Sequence, residues 1–290
     1  MEQLALHQAT QQEIANYKSG SSHATLIIGP SGVGKRTVAL LLASQALGIG
    51  SVALHKHPYV RIIGPNDRSA ITIDAVRELQ RFLQLRTTGT QSIRRVVIVE
   101  NADSLTLEAQ NAFLKILEEP PEDTIILLTT AHARTLLPTI RSRVQTLPIR
   151  KPGHMQVTDF FKQAGHSEQA VSQAYFLSGG LPGLMDALLA EDASHPLAAN
   201  VVKAKELLTQ TMFKRLAGVE SLAKQRDTAQ GVIDALQRIA QIGVTQAAGK
   251  QDSRRLAQWH RVQSQAHYAS LALQKNANTK LTLTKMLLHV

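Results

Sequence analysis

The chain has 290 residues, 43% of them hydrophobic and 19% charged, with a formal net charge of +10 and no cysteine. Such a composition is too apolar for general disorder and excludes disulfides and thiolate metal sites; at this length it implies two or three domains. No apolar run approaches the roughly 18 residues needed to cross a bilayer, and MEQLALHQATQQEIANYKSG lacks an export-signal pattern, so a cytoplasmic protein without membrane partners is expected.

In chain order, HATLIIGP (23–30) is a short apolar run ending in Gly-Pro, the pattern of a buried parallel strand. GPSGVGKRT follows, and then KRTVALLLASQAL has helical spacing with no breaker until Gly48. YVRIIGP reads as a second strand and TIDAVRELQRFLQLR as an amphipathic helix, with Asp74 and Glu78 early and Arg86 at its end. RRVVIVENAD is a third strand ending in polar residues. SLTLEAQNAFLKILEEPP is a helix capped at Ser104 or Thr106 and stopped by Pro120-Pro121, and TIILLTT is a fourth strand. Strands alternating with helices imply a parallel sheet with right-handed crossovers.

From about Lys151 the pattern turns helical, with breakers at Gly179-Gly180, Pro182 and Pro196. FLSGGLPGLMDALLAED reads as a helix end, a turn and a new helix, and the rest as a helical bundle. The expected divisions fall at about 150 and about 192, giving segments 1–150, 151–192 and 193–290. Charge is uneven: residues 1–195 carry 18 Lys/Arg against 17 Asp/Glu, whereas residues 196–290 carry 14 against 5. A basic C-terminal third suits an acidic partner such as nucleic acid, or simply a solvated cationic surface.

The stretch Gly29 to Lys35 has the G-x-x-x-x-G-K spacing of a phosphate-binding loop. In such a loop backbone N–H groups and a helix N-terminus surround the phosphates while the lysine reaches their outer oxygens. Gly29, Gly32 and Gly34 permit close approach and Lys35 supplies charge. The hydroxyl that usually follows the lysine and holds magnesium is missing: Arg36 stands there, with Thr37 one step late. In VVIVENAD, Glu100 takes the place of the metal-associated Asp, and Asn101 that of the Glu that polarises attacking water. Asparagine cannot take a proton, so general-base help is lost. Asp103 is an acidic alternative in the turn beyond. These substitutions predict a site that hydrolyses nothing or very little. Whether the loop keeps ATP or ADP as a structural ligand, or Arg36 fills it, stays open from the sequence.

Several stretches together resemble the bacterial clamp-loader branch of AAA+ proteins, nearest in likeness to the delta-prime subunits of DNA polymerase III. They are NAFLKILEEPP, HPYVRIIGPNDRSAITIDAVRELQRFLQLR, TIILLTTAHARTLLPTIRSRVQTLPI and, near the end, LALQKNANTKLTLTKMLL. The resemblance implies an AAA+ α/β domain with a P-loop parallel sheet, a small helical lid and a C-terminal helical collar. It also implies a hetero-pentameric ring with motor and delta-like subunits that loads a sliding clamp on primed DNA. Delta-prime members commonly act as a non-hydrolysing stator that presents an arginine finger to a neighbour's ATP. Carried over, that finger is Arg143 in RSRVQ, with Arg141 adjacent and Val144 where the family usually has Cys. The phosphate-sensing hydroxyl falls at Thr129 or Thr130, and the lid's phosphate-reading arginine position holds Leu184. The four-Cys zinc module of many members is absent, so no zinc is expected and His55 and His57 read as loop histidines. Helices lining such a ring track the DNA backbone, which makes Arg77 and Arg81, four residues apart on one helix, candidate contacts. Arg254, Arg255 and Arg261 could serve DNA or acidic subunits, and Trp259 reads as a core or interface residue. Two rival readings are an active AAA+ ATPase, as in a motor subunit, and a basic nucleic-acid-binding regulator on the same scaffold.

Overall fold

The structure is a computed structural model, and it describes residues 5–17, 23–65, 70–190, 195–274 and 277–290. The chain forms two units, Met1–Pro152 and Gly153–Val290.

The first unit runs α1 (Gln8–Asn16), β1 (Ala24–Ile28), α2 (Lys35–Leu47), α3 (Ser51–Leu54), β2 (Val60–Ile63), α4 (Ile73–Leu83) and β3 (Arg95–Val99). It continues through α5 (Leu107–Glu118), β4 (Thr124–Thr130), α6 (Pro138–Arg141) and β5 (Gln145–Pro148). All strand pairs are parallel, in the order β2-β3-β4-β1-β5. RVVIV and TIILLTT are buried along their whole length, as an unbroken run of branched residues must be when helices cover both faces. α4 buries Val76, Leu79 and Phe82 at three-residue spacing and leaves Asp74, Arg77 and Arg81 outside. Those side chains meet Leu26, Val97, Val99, Ile126 and Leu128 of the sheet and Phe113, Ile116 and Leu117 of α5 in one core. Each fully buried Leu or Phe contributes roughly 1.5–3 kcal/mol of transfer free energy.

Of the two caps considered for α5, Thr106 is the one formed, its hydroxyl accepting from the Ala109 N–H at 3.2 Å. Two elements carry no clear sequence signal. β5 alternates poorly because Gln145 and Thr146 are exposed at the sheet edge, and α1 buries only Thr10. The successive strands β1 and β2 are not neighbours: β3 and β4 lie between them. That order opens a crevice at the carboxyl ends of the strands, where ligands of such sheets bind.

The second unit is helical, without a strand among the described residues: α7 (His154–Gln163), α8 (Glu168–Ser178), α9 (Pro182–Leu189), α10 (Pro196–Thr209) and α11 (Met212–Ala217). α12 (Val219–Ala223), α13 (Arg226–Gly249), α14 (Ser253–Gln274) and α15 (Thr279–His289) complete it. α8 stops at Gly179, whose left-handed φ of 65° lets its N–H close on Phe176 O, and Pro182 opens α9. Val201, Val232, Ile233, Leu236, Leu273, Leu283 and Leu287 form the core. α13 and α14 pack closely because Gly243 has no side chain: a Cβ there would lie 2.2 Å from Cδ2 of Trp259. Trp259 is therefore a packing residue of this helix pair. The division expected at about 192 lies outside the described residues. Among the described residues no helix is long and apolar enough to cross a membrane.

Candidate functional site

β1 delivers the chain to Gly29, whose N–H donates to Thr130 O at 3.2 Å. No side chain fits at that position, since a Cβ would fall 2.7 Å from Ile149 O. Gly32 and Gly34 then take φ values of 81° and 99°, which residues with a Cβ avoid. Gly34 is the N-cap of α2, so the first N–H groups of a 13-residue helix face the loop. Lys35 is buried, and its ammonium donates to Gly29 O at 2.8 Å and Pro30 O at 3.0 Å. Burial draws its pKa below the ordinary lysine range, against the opposing pull of the Asp103 charge.

The facing wall is built at the end of β3. Asn101 adopts a left-handed φ of 51° and donates its N–H to Thr129 Oγ1 at 3.0 Å. That turn carries Asp103 inward on a short 3-10 turn, Ala102–Ser104, where Oδ1 accepts from Thr130 Oγ1 at 3.0 Å. The same Thr130 oxygen accepts from the His132 N–H at 3.0 Å. Spacing alone leaves Asp103 three residues past Glu100. The left-handed residue between them is what brings Asp103 within electrostatic reach of Lys35.

Arg36 Nε lies 2.9 Å from Glu100 Oε1, an ion pair whose angle does not make a hydrogen bond. Arg36 is 61% exposed and Glu100 22%, so the guanidinium covers the carboxylate from the solvent side. Thr37 is exposed, and its hydroxyl has no hydrogen-bond partner among the described residues. The arrangement fits a phosphate: left-handed glycines, a helix N-terminus and a partly desolvated ammonium converge on one loop. It does not fit a bridging divalent cation, because the position after the lysine, usually a hydroxyl, holds a cation, Arg36, already paired with the Glu100 carboxylate at the end of β3.

Residues 3–153 match the family described as DNA polymerase III, delta subunit, which is more than half of the chain. The chain belongs to that family. Among its relatives, the DNA polymerase III subunit delta' of Pseudomonas aeruginosa is 32% identical over 206 residues, covering 65% of this chain and 62% of that protein. The delta' subunit of Escherichia coli strain K12 is 31% identical over 198 residues, covering 62% and 58%. The matched stretch thus spans less than two thirds of those relatives' own length. A gamma subunit-related protein of DNA polymerase III from Thermotoga maritima superposes with a TM-score of 0.52 at 21% identity, covering 97% of this chain and 96% of that one, and this likeness supports the fold.

A second feature of the α/β unit follows β4 in this family member. Gln110 of α5 donates to Leu105 O at 3.2 Å and accepts from the Leu137 N–H at 2.8 Å, fixing the entry to α6. Arg143, just past α6, donates to Thr139 O at 3.1 Å and places Nη2 3.0 Å from Glu118 Oε1. Its side chain is 38% exposed and that of Glu118 50%. Arg141 is exposed, and its side chain has no hydrogen-bond or ion-pair partner among the described residues. Val144 packs against the core, so its substitution for Cys is a matter of packing. Neither Gln110 nor the Glu118 pairing is predicted by the sequence reading; the signal available was Glu118 in LEEPP, at the last turn of α5.

The other candidates are scattered. Arg77 pairs with Asp74 at 3.2 Å on the exposed face of α4, and Arg81 is exposed there with no ion pair among the described residues. Leu184 is fully buried in the helical unit. His57 Nδ1 accepts from the Tyr59 N–H at 3.3 Å, and His55 is exposed. Arg255 pairs with Asp252 at 3.4 Å, while Arg254 and Arg261 are exposed.

Proposed function

We propose that this chain is a delta-prime-type clamp-loader subunit, a stator that does not hydrolyse nucleotide and supplies Arg143 to ATP held by a neighbouring motor subunit. The observation that carries the reading is the Arg36–Glu100 ion pair, 2.9 Å across the position where an active site of this kind would hold magnesium. With Asn101 unable to accept a proton, neither the metal nor the base of a hydrolysing site has its usual residue. ATP or ADP, if held at all, would be held by Lys35 and the loop amides as a structural ligand.

Arg143 is the chemically useful group. A guanidinium offered from a neighbour stabilises negative charge that develops as the γ-phosphoryl group moves, and is worth about 10³–10⁵ in rate. Its partial exposure, and its single-point attachment to Glu118, support a side chain that can exchange partners. In this reading the protein works in the cytoplasm, with motor and delta-like subunits in a hetero-pentameric ring that places a sliding clamp on primed DNA. Residues 151–192 act as the lid and 193–290 as the collar, and Arg77 and Arg81 face the DNA backbone.

The test is reconstitution with motor and delta-like subunits on primed DNA. The lone chain should release no phosphate. Arg143→Ala should leave assembly unchanged on gel filtration and cut single-turnover hydrolysis at the facing site by about 10³-fold or more. Magnesium-dependent ATP cleavage by the lone chain, abolished by Lys35→Ala, would instead establish an active ATPase.

A further inference from the structure

In the helical unit, two cavities of about 430 and 460 Å³ meet at Gln265, which lines both. Together they form one trough along α14 and α15. Ala269 and Ala272, being small, leave space above α14, and buried Met286 supplies part of the floor. The walls are large apolar side chains left in water: Tyr268 is 66% exposed, Leu281 70% and Leu288 45%. A contiguous patch of this kind marks a contact surface. Its rim is cationic: Lys285 borders one cavity, Arg215 and Arg261 the other, and no Asp or Glu side chain is among the described residues lining either. Arg215 is anchored by hydrogen bonds to Gln210 O and Leu208 O, which leave its charge uncompensated. Lys285 and Arg261 have no ion-pair partner among the described residues.

We infer that the trough receives an acidic amphipathic helix from a partner protein. The apolar stripe of that helix packs against Tyr268, Leu281 and Leu288, and its flanking carboxylates meet Arg261 and Lys285. A second copy of this face is disfavoured, since residues 196–290 carry 14 Lys/Arg against 5 Asp/Glu and like charges would be brought together. Nucleic acid fits less well: Tyr268 and His289 are the only rings among the lining residues, and although the rim could meet phosphates, the exposed Leu281 and Leu288 find no counterpart in a phosphate backbone. The inference stands on the trough alone and is independent of the nucleotide site.

The experiment uses the full chain and a labelled peptide of Leu and Glu, patterned to give one apolar stripe on a helix, with a scrambled peptide of identical composition as control. Fluorescence anisotropy at low and high salt reports binding. The patterned peptide should bind at least about tenfold more tightly than the scrambled one, and more weakly as salt rises. Leu281→Glu should reduce that binding about tenfold, and Arg261→Glu with Lys285→Glu several-fold. All three side chains are exposed, so circular dichroism should report an unchanged fold, and Leu281→Ser provides a milder check. Equal binding of the two peptides overturns the proposal, because charge alone would then explain it. So does displacement of the patterned peptide by duplex DNA at equal affinity, or self-association of the chain that Leu281→Glu abolishes.

Discussion

At the amino-terminal edge of the sheet Asp123 precedes β4 and gathers Thr87, Thr124 and Arg94, whereas at the carboxyl-terminal edge the Glu100 carboxylate meets only Arg36 among the described residues. The first edge is closed. Arg95 is buried there with its guanidinium donating to Leu83 O and Leu85 O and lying 5.3 Å from the Phe82 ring centre. Burial lowers its pKa, and the charges of Asp123 and Tyr59 pull the other way. The second edge keeps its polar groups loosely held or paired with exchangeable partners: Lys35 on loop carbonyls and Arg36 on Glu100. One set of charges is spent on holding the sheet together. The other is arranged so that an anion can still compete for it.

The largest expected effect breaks the closed edge. Burial pushes the Asp123 carboxyl up, but the hydrogen bonds from Thr87, Thr124 and Arg94 outweigh it and hold the group below the usual carboxylate range. A depressed folded-state pKa contributes stability above the unfolded value of about 4, and that contribution disappears as pH falls through the lower folded value. Asp123→Asn should cost about 2 kcal/mol at neutral pH, read from the urea midpoint, and flatten the acid limb of the stability profile. An unchanged midpoint would mean that the closed edge is no more tightly built than the open one.

Next in size is the metal side of the open edge. Arg36→Thr restores a hydroxyl beside Lys35 and leaves Glu100 free. Magnesium should then tighten ATP binding about tenfold, or about 1.4 kcal/mol, in calorimetric titrations with and without the metal. Hydrolysis should not follow, because Asn101 still offers no base. If metal makes no difference to the variant, Arg36 is not what excludes it.

These contrasts were unequally legible in the sequence. The strands β1, β3 and β4 are apolar runs and could be read directly, as could the glycine loop that sits between β1 and α2. What local pattern could not give was a contact made across the fold. Arg95 looks like any cation flanking a strand, and its partners are backbone carbonyls whose position depends on how α4 ends. Asp103 enters the site only because Asn101 is left-handed, a backbone state with no reliable one-residue signature. Trp259 on Gly243 is a pairing sixteen residues apart that needs the hairpin to exist before it can be seen. β5 went unread because its edge position leaves Gln145 and Thr146 polar and exposed.

The smallest expected effect tests whether the Arg143 pair is exchangeable. An ion pair this exposed contributes under about 1 kcal/mol, less than the worth of a guanidinium to a phosphoryl transfer, so an incoming phosphate can displace Glu118. Glu118→Gln keeps the shape and the acceptor oxygen and removes the charge. Its thermal midpoint should stay within about two degrees of the parent, and turnover of the reconstituted complex within a few-fold. Arg143→Ala, by contrast, should abolish most of the hydrolysis at the facing site. If the glutamine variant lost as much turnover as the alanine variant, the two side chains would be acting as one unit. Arg143 would then depend on Glu118 for its working position, and the pair would not be the exchangeable contact that its exposure implies.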